Sequence, residues 1–178
     1  MSCNLSLYRS EPCKDSVGGL DKVYFVNYGT LGAVSYDDPN DEMIETVAGI
    51  GGVDPNAYEY DIKGTSSFTQ NIQSSRENGT TAFEQVLELT LHKLTVADQK
   101  ELKLLSWGRP HVIIKDNNGN LFLAGLEHGM DVSGGTVVTG GAMGDLSGYT
   151  LTLTGMEKLP ANFIEGDLAT AGFAVVNS

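Results

Sequence analysis

Tyr149, Leu151 and Leu153 alternate with Thr150, Thr152 and Thr154, the period-two pattern of a strand with one face on a core and the other in water. A Gly-rich run from Gly134 to Gly148 leads into it, and the region predicts two strands, 129–139 and 148–155, joined by a flexible loop. The run has too little apolar surface to fold alone, so it must lie against its own sandwich or a neighbouring subunit.

The rest of the chain reads mostly in the same period. Residues 23–28 form an apolar, β-branched and aromatic run, which predicts a strand covered on both faces. Tyr58, Tyr60 and Ile62 alternate with Glu59, Asp61 and Lys63, a strand with one wet face. A polar strand follows over 66–76, with Phe68, Gln70 and Ile72 on one side and a turn at Glu77-Asn78-Gly79. Residues 82–94 fit two periods. As a strand, Phe83, Leu87, Leu89 and Leu91 share a face; as a helix, Phe83, Val86, Leu87, Leu91 and Leu94 do, with Thr81 and Glu84 as a capping box. The strand is favoured, because a helix leaves Leu89 on its wet side.

One helix is predicted over about 96–107. Thr95 is its N-cap, Ala97, Leu102, Leu104 and Leu105 form a face for packing on a sheet, and Gly108 is its left-handed terminator ahead of Pro110. Trp107 in the last turn reads as a core plug. A hairpin follows, 111–117 and 120–126, around Asn118-Gly119, the favoured pair for a type I′ turn.

The fold class is therefore mainly β, a sandwich or barrel with one packed α-helix. Residues 21–160 form a single domain, 1–20 an N-terminal arm and 37–57 an acidic loop or insertion, within which 41–47 is compatible with a short helix. Residues 161–178 read as a C-terminal arm leaving the domain, since Phe173, Val175 and Val176 are poorly served by water.

Charge narrows the function. The chain of 178 residues carries a formal net charge of −12, the reverse of the basic footprint that phosphates need. Such a charge still suits a surface past which nucleic acid slides without sticking. Asp37, Asp38, Asp41, Glu42, Glu45 and Asp54 lie in one stretch without Lys or Arg, read most simply as a solvated loop. Cys3 and Cys13 are expected to be free thiols, as in a cytoplasmic protein, and their spacing is not that of a zinc site. No apolar run reaches the roughly 20 residues of a membrane span, and the first residues lack a signal-peptide pattern, so synthesis in a cytoplasm is expected.

Catalytic motifs are missing from the sequence. There is no GxxxxGK[ST], GxSxG or HExxH. His111 with Asp116, and His128 with Asp131, are the nearby base–acid pairs, and neither has a nucleophile beside it. Turn chemistry accounts for Asp116–Asn120, which lacks the spacing of a calcium loop. The expectation is a protein that is not an enzyme, with no catalytic, cofactor-binding or metal residues. An alternative is a ligand- or carbohydrate-binding sandwich, with Trp107 and Tyr58 as stacking residues.

Taken in order, Phe83-Glu-Gln-Val-Leu-Glu-Leu-Thr-Leu, Thr95-Val-Ala-Asp-Gln-Lys-Glu-Leu, Val112-Ile-Ile-Lys-Asp-Asn-Asn-Gly-Asn and Gly144-Asp-Leu-Ser-Gly-Tyr-Thr-Leu-Thr-Leu-Thr-Gly resemble the tail-tube proteins of tailed bacteriophages. Glu11-Pro-Cys-Lys-Asp with Gly18-Gly19 is similar to virion proteins of phages of Bacteroidota, including crAss-like phages. The resemblance spans roughly residues 20 to 160. It implies a structural virion protein, a subunit of a homo-oligomeric ring or tube in the tail. Neighbouring copies would share strands around a channel for genome passage, the 66–94 pair would approach the lumen, and other tail or portal-proximal proteins would adjoin the ring. It supplies no catalytic residue. The acidic stretch and the C-terminal arm fall outside its pattern.

Overall fold

The structure, a computed structural model, describes residues 16–37, 43–62 and 65–177. The chain is mainly β, in two curled sheets with one helix, as the periodicity predicts. The larger sheet runs in spatial order β12 (Ala174–Val176), β4 (Asn56–Asp61), β1 (Leu20–Val26), β7 (His111–Asp116), β8 (Leu121–Ala124), β11 (Asn162–Ile164), β3 (Ile44–Gly49) and β2 (Leu31–Tyr36). The smaller sheet runs β5 (Ser67–Ser75), β6 (Thr80–His92), β10 (Gly148–Glu157) and β9 (Asp131–Val138), all antiparallel.

The central strands of the larger sheet are buried on both faces. Val23, Phe25, Val112, Ile114 and Ala124 point to one side and pack with Leu87, Leu89 and Leu153 of the smaller sheet and with Met130. Tyr24, Val26, Ile113, Leu121 and Leu123 point to the other and pack with Ile44, Val47, Leu168, Ala171 and Phe173. That is why these strands are written as continuous apolar runs, and each such side chain contributes roughly 1.5–3 kcal/mol.

Residues 161–177 do not form an arm that leaves the domain. β11 is inserted between β8, antiparallel, and β3, parallel, while β12 extends the other edge parallel to β4. Between them Leu168, Ala171 and Phe173 fill the concave side of the sheet, so the apolar tail finds its burial within its own chain. The Val47 amide donates to the Ala171 carbonyl at 2.8 Å. Gly172, at φ 88°, passes so close that a Cβ there would lie 2.5 Å from the Val47 carbonyl oxygen.

The acidic stretch is also more regular than a loop. Of 41–47, Ile44 onward is strand β3, not helix, and Met43 is irregular; residues 38–42 lie outside the described residues. β2, which pairs with β3, has no counterpart in the sequence reading. Of the expected N-terminal arm, 1–15, with both cysteines, lie outside the described residues. The Val17 amide donates to the Asn118 side chain at 2.9 Å, and Leu20 already belongs to β1.

Residues 82–94 form a strand for nearly their whole length, paired on both sides, by β5 and β10. The helix α1 (Val96–Trp107) begins as expected, with the Thr95 hydroxyl accepting the Asp98 amide at 3.1 Å. Its packing is weaker than expected. No residue of it is buried, Leu105 is partly covered, and Trp107 is 75% exposed rather than a core plug. Gly108 is extended (φ −94°, ψ 177°), not left-handed, although its amide closes the last turn on Leu104. The β7–β8 hairpin forms, but not by a type I′ turn: only Gly119, at φ 88°, takes positive φ. The Gly119 amide donates to the Asp116 carbonyl and the Asp116 amide to the Asn120 carbonyl, a three-residue loop.

Two outcomes follow. Deleting 168–178 should prevent stable folding, and Phe173→Ala should cost about 3–5 kcal/mol in urea unfolding followed by circular dichroism. Asp116 is pushed up by burial but pulled further down by hydrogen bonds from Asn120 and Asn118, so its carboxyl sits below its ordinary 3.8. A depressed carboxylate stabilises at neutral pH and loses that contribution as pH falls through its folded value. The stability advantage of the wild type over Asp116→Asn should therefore shrink below pH 3.8.

Candidate functional site

The paired bases and acids singled out in the sequence are not brought together. His111 and Asp116 stand at opposite ends of β7. His111 is buried, its Nδ1 2.6 Å from the Gly125 carbonyl and its ring stacked on Tyr28 with centroids 5.0 Å apart. Burial pushes its pKa down, against smaller upward pulls from the Gly125 carbonyl and Glu157, so it is held as a neutral structural imidazole. Asp116 spends its carboxylate on the hairpin, accepting the Asn118 amide at 2.9 Å, the Asn120 amide at 2.7 Å and the Asn120 side chain at 2.9 Å.

His128 pairs with Glu157 rather than with Asp131. Its Nδ1 lies 3.1 Å from Glu157 Oε2, while Glu157 Oε1 accepts the amides of Glu127 at 3.2 Å and His128 at 2.8 Å. Glu127, His128 and Glu157 each bring a ligand-type atom within 4.8 Å of the others. Glu157, buried at the end of β10, already has its oxygens engaged, and Lys158 holds Glu127 at 3.2 Å. The cluster locks the turn after β8 onto β10. Sequence reading missed it because Glu157 is 29 residues from His128.

Tyr58 and Trp107 do not share a site. Tyr58 borders a groove of about 570 Å³ with Tyr28, Tyr60, Leu104 and Arg109, and Trp107 is not among its walls. Lys103 Nζ lies 4.6 Å from the Trp107 ring centroid.

The most distinctive surface is the smaller sheet. Gln85, Leu87 and Leu89 point inward, and buried Gln85 is satisfied by the Gly125 amide at 2.9 Å. The alternate residues Glu84, Val86, Glu88 and Thr90 therefore face out, beside Met156, Thr154, Thr152 and Thr150 of β10 and Asn71 and Thr69 of β5. Asn71 and Gln73 both donate to Glu84 Oε2, at 3.3 and 3.4 Å. No Lys or Arg occurs in any of the four strands. Its two edges, β5 and β9, are nine and eight residues long and carry no Pro or Lys; β9 is bulged at Ser133 and has helix α1 beside it. The β9–β10 loop is shaped by Asp145, whose Oδ2 accepts the Gly141 amide at 2.9 Å and the Ala142 amide at 2.7 Å. Met143 stands fully exposed at its tip.

The Glu157 lock has a measurable worth. Glu157→Leu leaves two amides without their acceptor and should cost about 1–3 kcal/mol in urea unfolding. His128→Ala removes only a partly exposed pair and should cost less than about 1 kcal/mol.

No helix among the described residues is long and apolar enough to cross a membrane. No protein-family model matches the chain, no curated protein matches its sequence, and no solved structure matches its fold.

Proposed function

We propose that this chain is a structural subunit of an oligomeric ring or tube in a phage tail, forming part of the channel through which the genome passes. The observation that carries the reading is the smaller sheet. One face is packed on the core, the other is wet and its strands are free of Lys and Arg, and the two edges are strands of nine and eight residues without Pro or Lys. Joining β5 of one copy to β9 of the next satisfies both edges and continues the sheet from subunit to subunit. A wall of hydroxyls, amides and carboxylates offers phosphates no cation to bind, so DNA passes without being held. Adjacent tail or portal-proximal proteins would cap such a ring, and assembly would place the protein in the virion tail after synthesis in the host cytoplasm. On this reading the protein is not an enzyme.

Electron microscopy of the purified protein, alone and with its virion neighbours, tests the reading: rings or tubes are expected. Ile72 on β5 and Val137 on β9 are 70% and 68% exposed, so Ile72→Lys and Val137→Lys should spare the monomer's thermal melt and abolish the assemblies. A strictly monomeric protein that joins no virion structure contradicts it.

A further inference from the structure

The chain contains two Asn-Gly pairs, and the fold gives both the same setting. Asn78-Gly79 lies in the turn between β5 and β6, and Asn118-Gly119 in the turn between β7 and β8. All four residues are exposed. Both glycines take positive φ, 63° at Gly79 and 88° at Gly119, and neither has an atom within 4 Å of where a Cβ would stand. An Asn followed by Gly is unusually open to cyclisation, because no side chain shields the next backbone nitrogen. Exposure and steric access do not separate the two sites.

Hydrogen bonding does. The Asn118 side chain is tied at both ends: Oδ1 accepts the Val17 amide at 2.9 Å, while Nδ2 donates to the Val17 carbonyl at 2.8 Å and to Asp116 Oδ2 at 3.3 Å. The Gly119 amide donates to the Asp116 carbonyl at 3.1 Å. At the other turn only the backbone amide of Asn78 is held, donating to Ser75 Oγ at 3.3 Å. Among the described residues, neither the Asn78 side chain nor the Gly79 amide has a hydrogen-bond partner. The attacking nitrogen and the amide it would attack are both engaged at 118–119 and both free at 78–79.

We infer that Asn78 is a site of spontaneous deamidation, and that Asn118 is protected from the same reaction by its lock onto Val17 and Asp116. The Gly79 nitrogen, its proton taken by solvent base, bonds to Asn78 Cγ. The Cγ–Nδ2 bond then breaks and ammonia leaves with a proton from water. The resulting succinimide takes up one water. Opening on the Cγ side gives aspartate, and opening on the backbone carbonyl side gives isoaspartate, with the chain rerouted through Cβ and Cγ. Either product adds one negative charge to a chain already at −12. Isoaspartate also adds a carbon to the backbone of the loop that sets the pairing of Ser75 with Thr80. The reaction consumes only water and does not depend on the tail reading.

Peptide mapping by mass spectrometry tests it on the full chain, kept folded at mildly alkaline pH in heavy-oxygen water, so that only conversion during the incubation carries the label. Asn78 should convert at least about tenfold faster than Asn118, since cyclisation at Asn118 must first break several hydrogen bonds. In urea, where the lock is gone, the two sites should convert at similar rates. Asn78→Gln should remove the isoaspartate signal from the β5–β6 turn and, at an exposed position, leave the thermal melt unchanged. The inference is overturned if Asn118 converts as fast as Asn78 in the folded chain, or if Asn78 stays intact when folded and converts only in urea. It is also overturned if the same selectivity persists in urea, which would assign it to neighbouring sequence and not to the lock.

Discussion

The structure depends on covering both faces of β1, β7 and β8. Apolar side chains leave these strands in both directions, so a single sheet packed on one partner would leave half of them in water. The smaller sheet covers one face. The other is covered when the larger sheet curls and the last stretch of the chain fills its hollow with Leu168, Ala171 and Phe173. Roughly 1.5–3 kcal/mol per buried side chain makes this closure decisive against a net stability of about 5–15 kcal/mol.

The same constraint leaves the smaller sheet half used. Its inner face is committed to the core, and its outer face and two edges are not. The cover therefore also offers two strand edges, β5 and β9, each longer than the β12 and β2 edges of the larger sheet. A protein that kept such edges as a monomer would be expected to blunt them; β5 and β9 carry no Pro or Lys, and the blunting seen is a bulge at Ser133 in β9 with helix α1 beside that strand. The helix follows the same logic. It bridges the two sheets with little burial of its own, which leaves Leu104 and Trp107 outside.

What was legible in the sequence was whatever has a local period or a local cap: the apolar run of β1, the alternation of β10, the Thr95 cap and the existence of the Asn-Gly hairpin. The strand β3 is not legible from period, because its two buried residues, Ile44 and Val47, are three apart, a helical spacing. Between Ser35 and Tyr36 the β2–β3 register shifts, so Glu45 is the extra residue that brings both to one side of a strand. β11 and β12 have three residues each, too few to show a period, and their pairing is with strands far away in sequence. The site residues follow this division. Tyr58, His111 and His128 were noticed, but Glu157 was not, since its meaning comes from partners that only the fold supplies.

Amide hydrogen exchange, compared between dilute monomer and assembled protein, tests most directly whether the smaller sheet is built to be continued. The account predicts that outward amides of β5 and β9 exchange freely in the monomer and gain strong protection on assembly, with β6 and β10 protected in both. Unchanged exchange along both β5 and β9 in an assembled sample would contradict it.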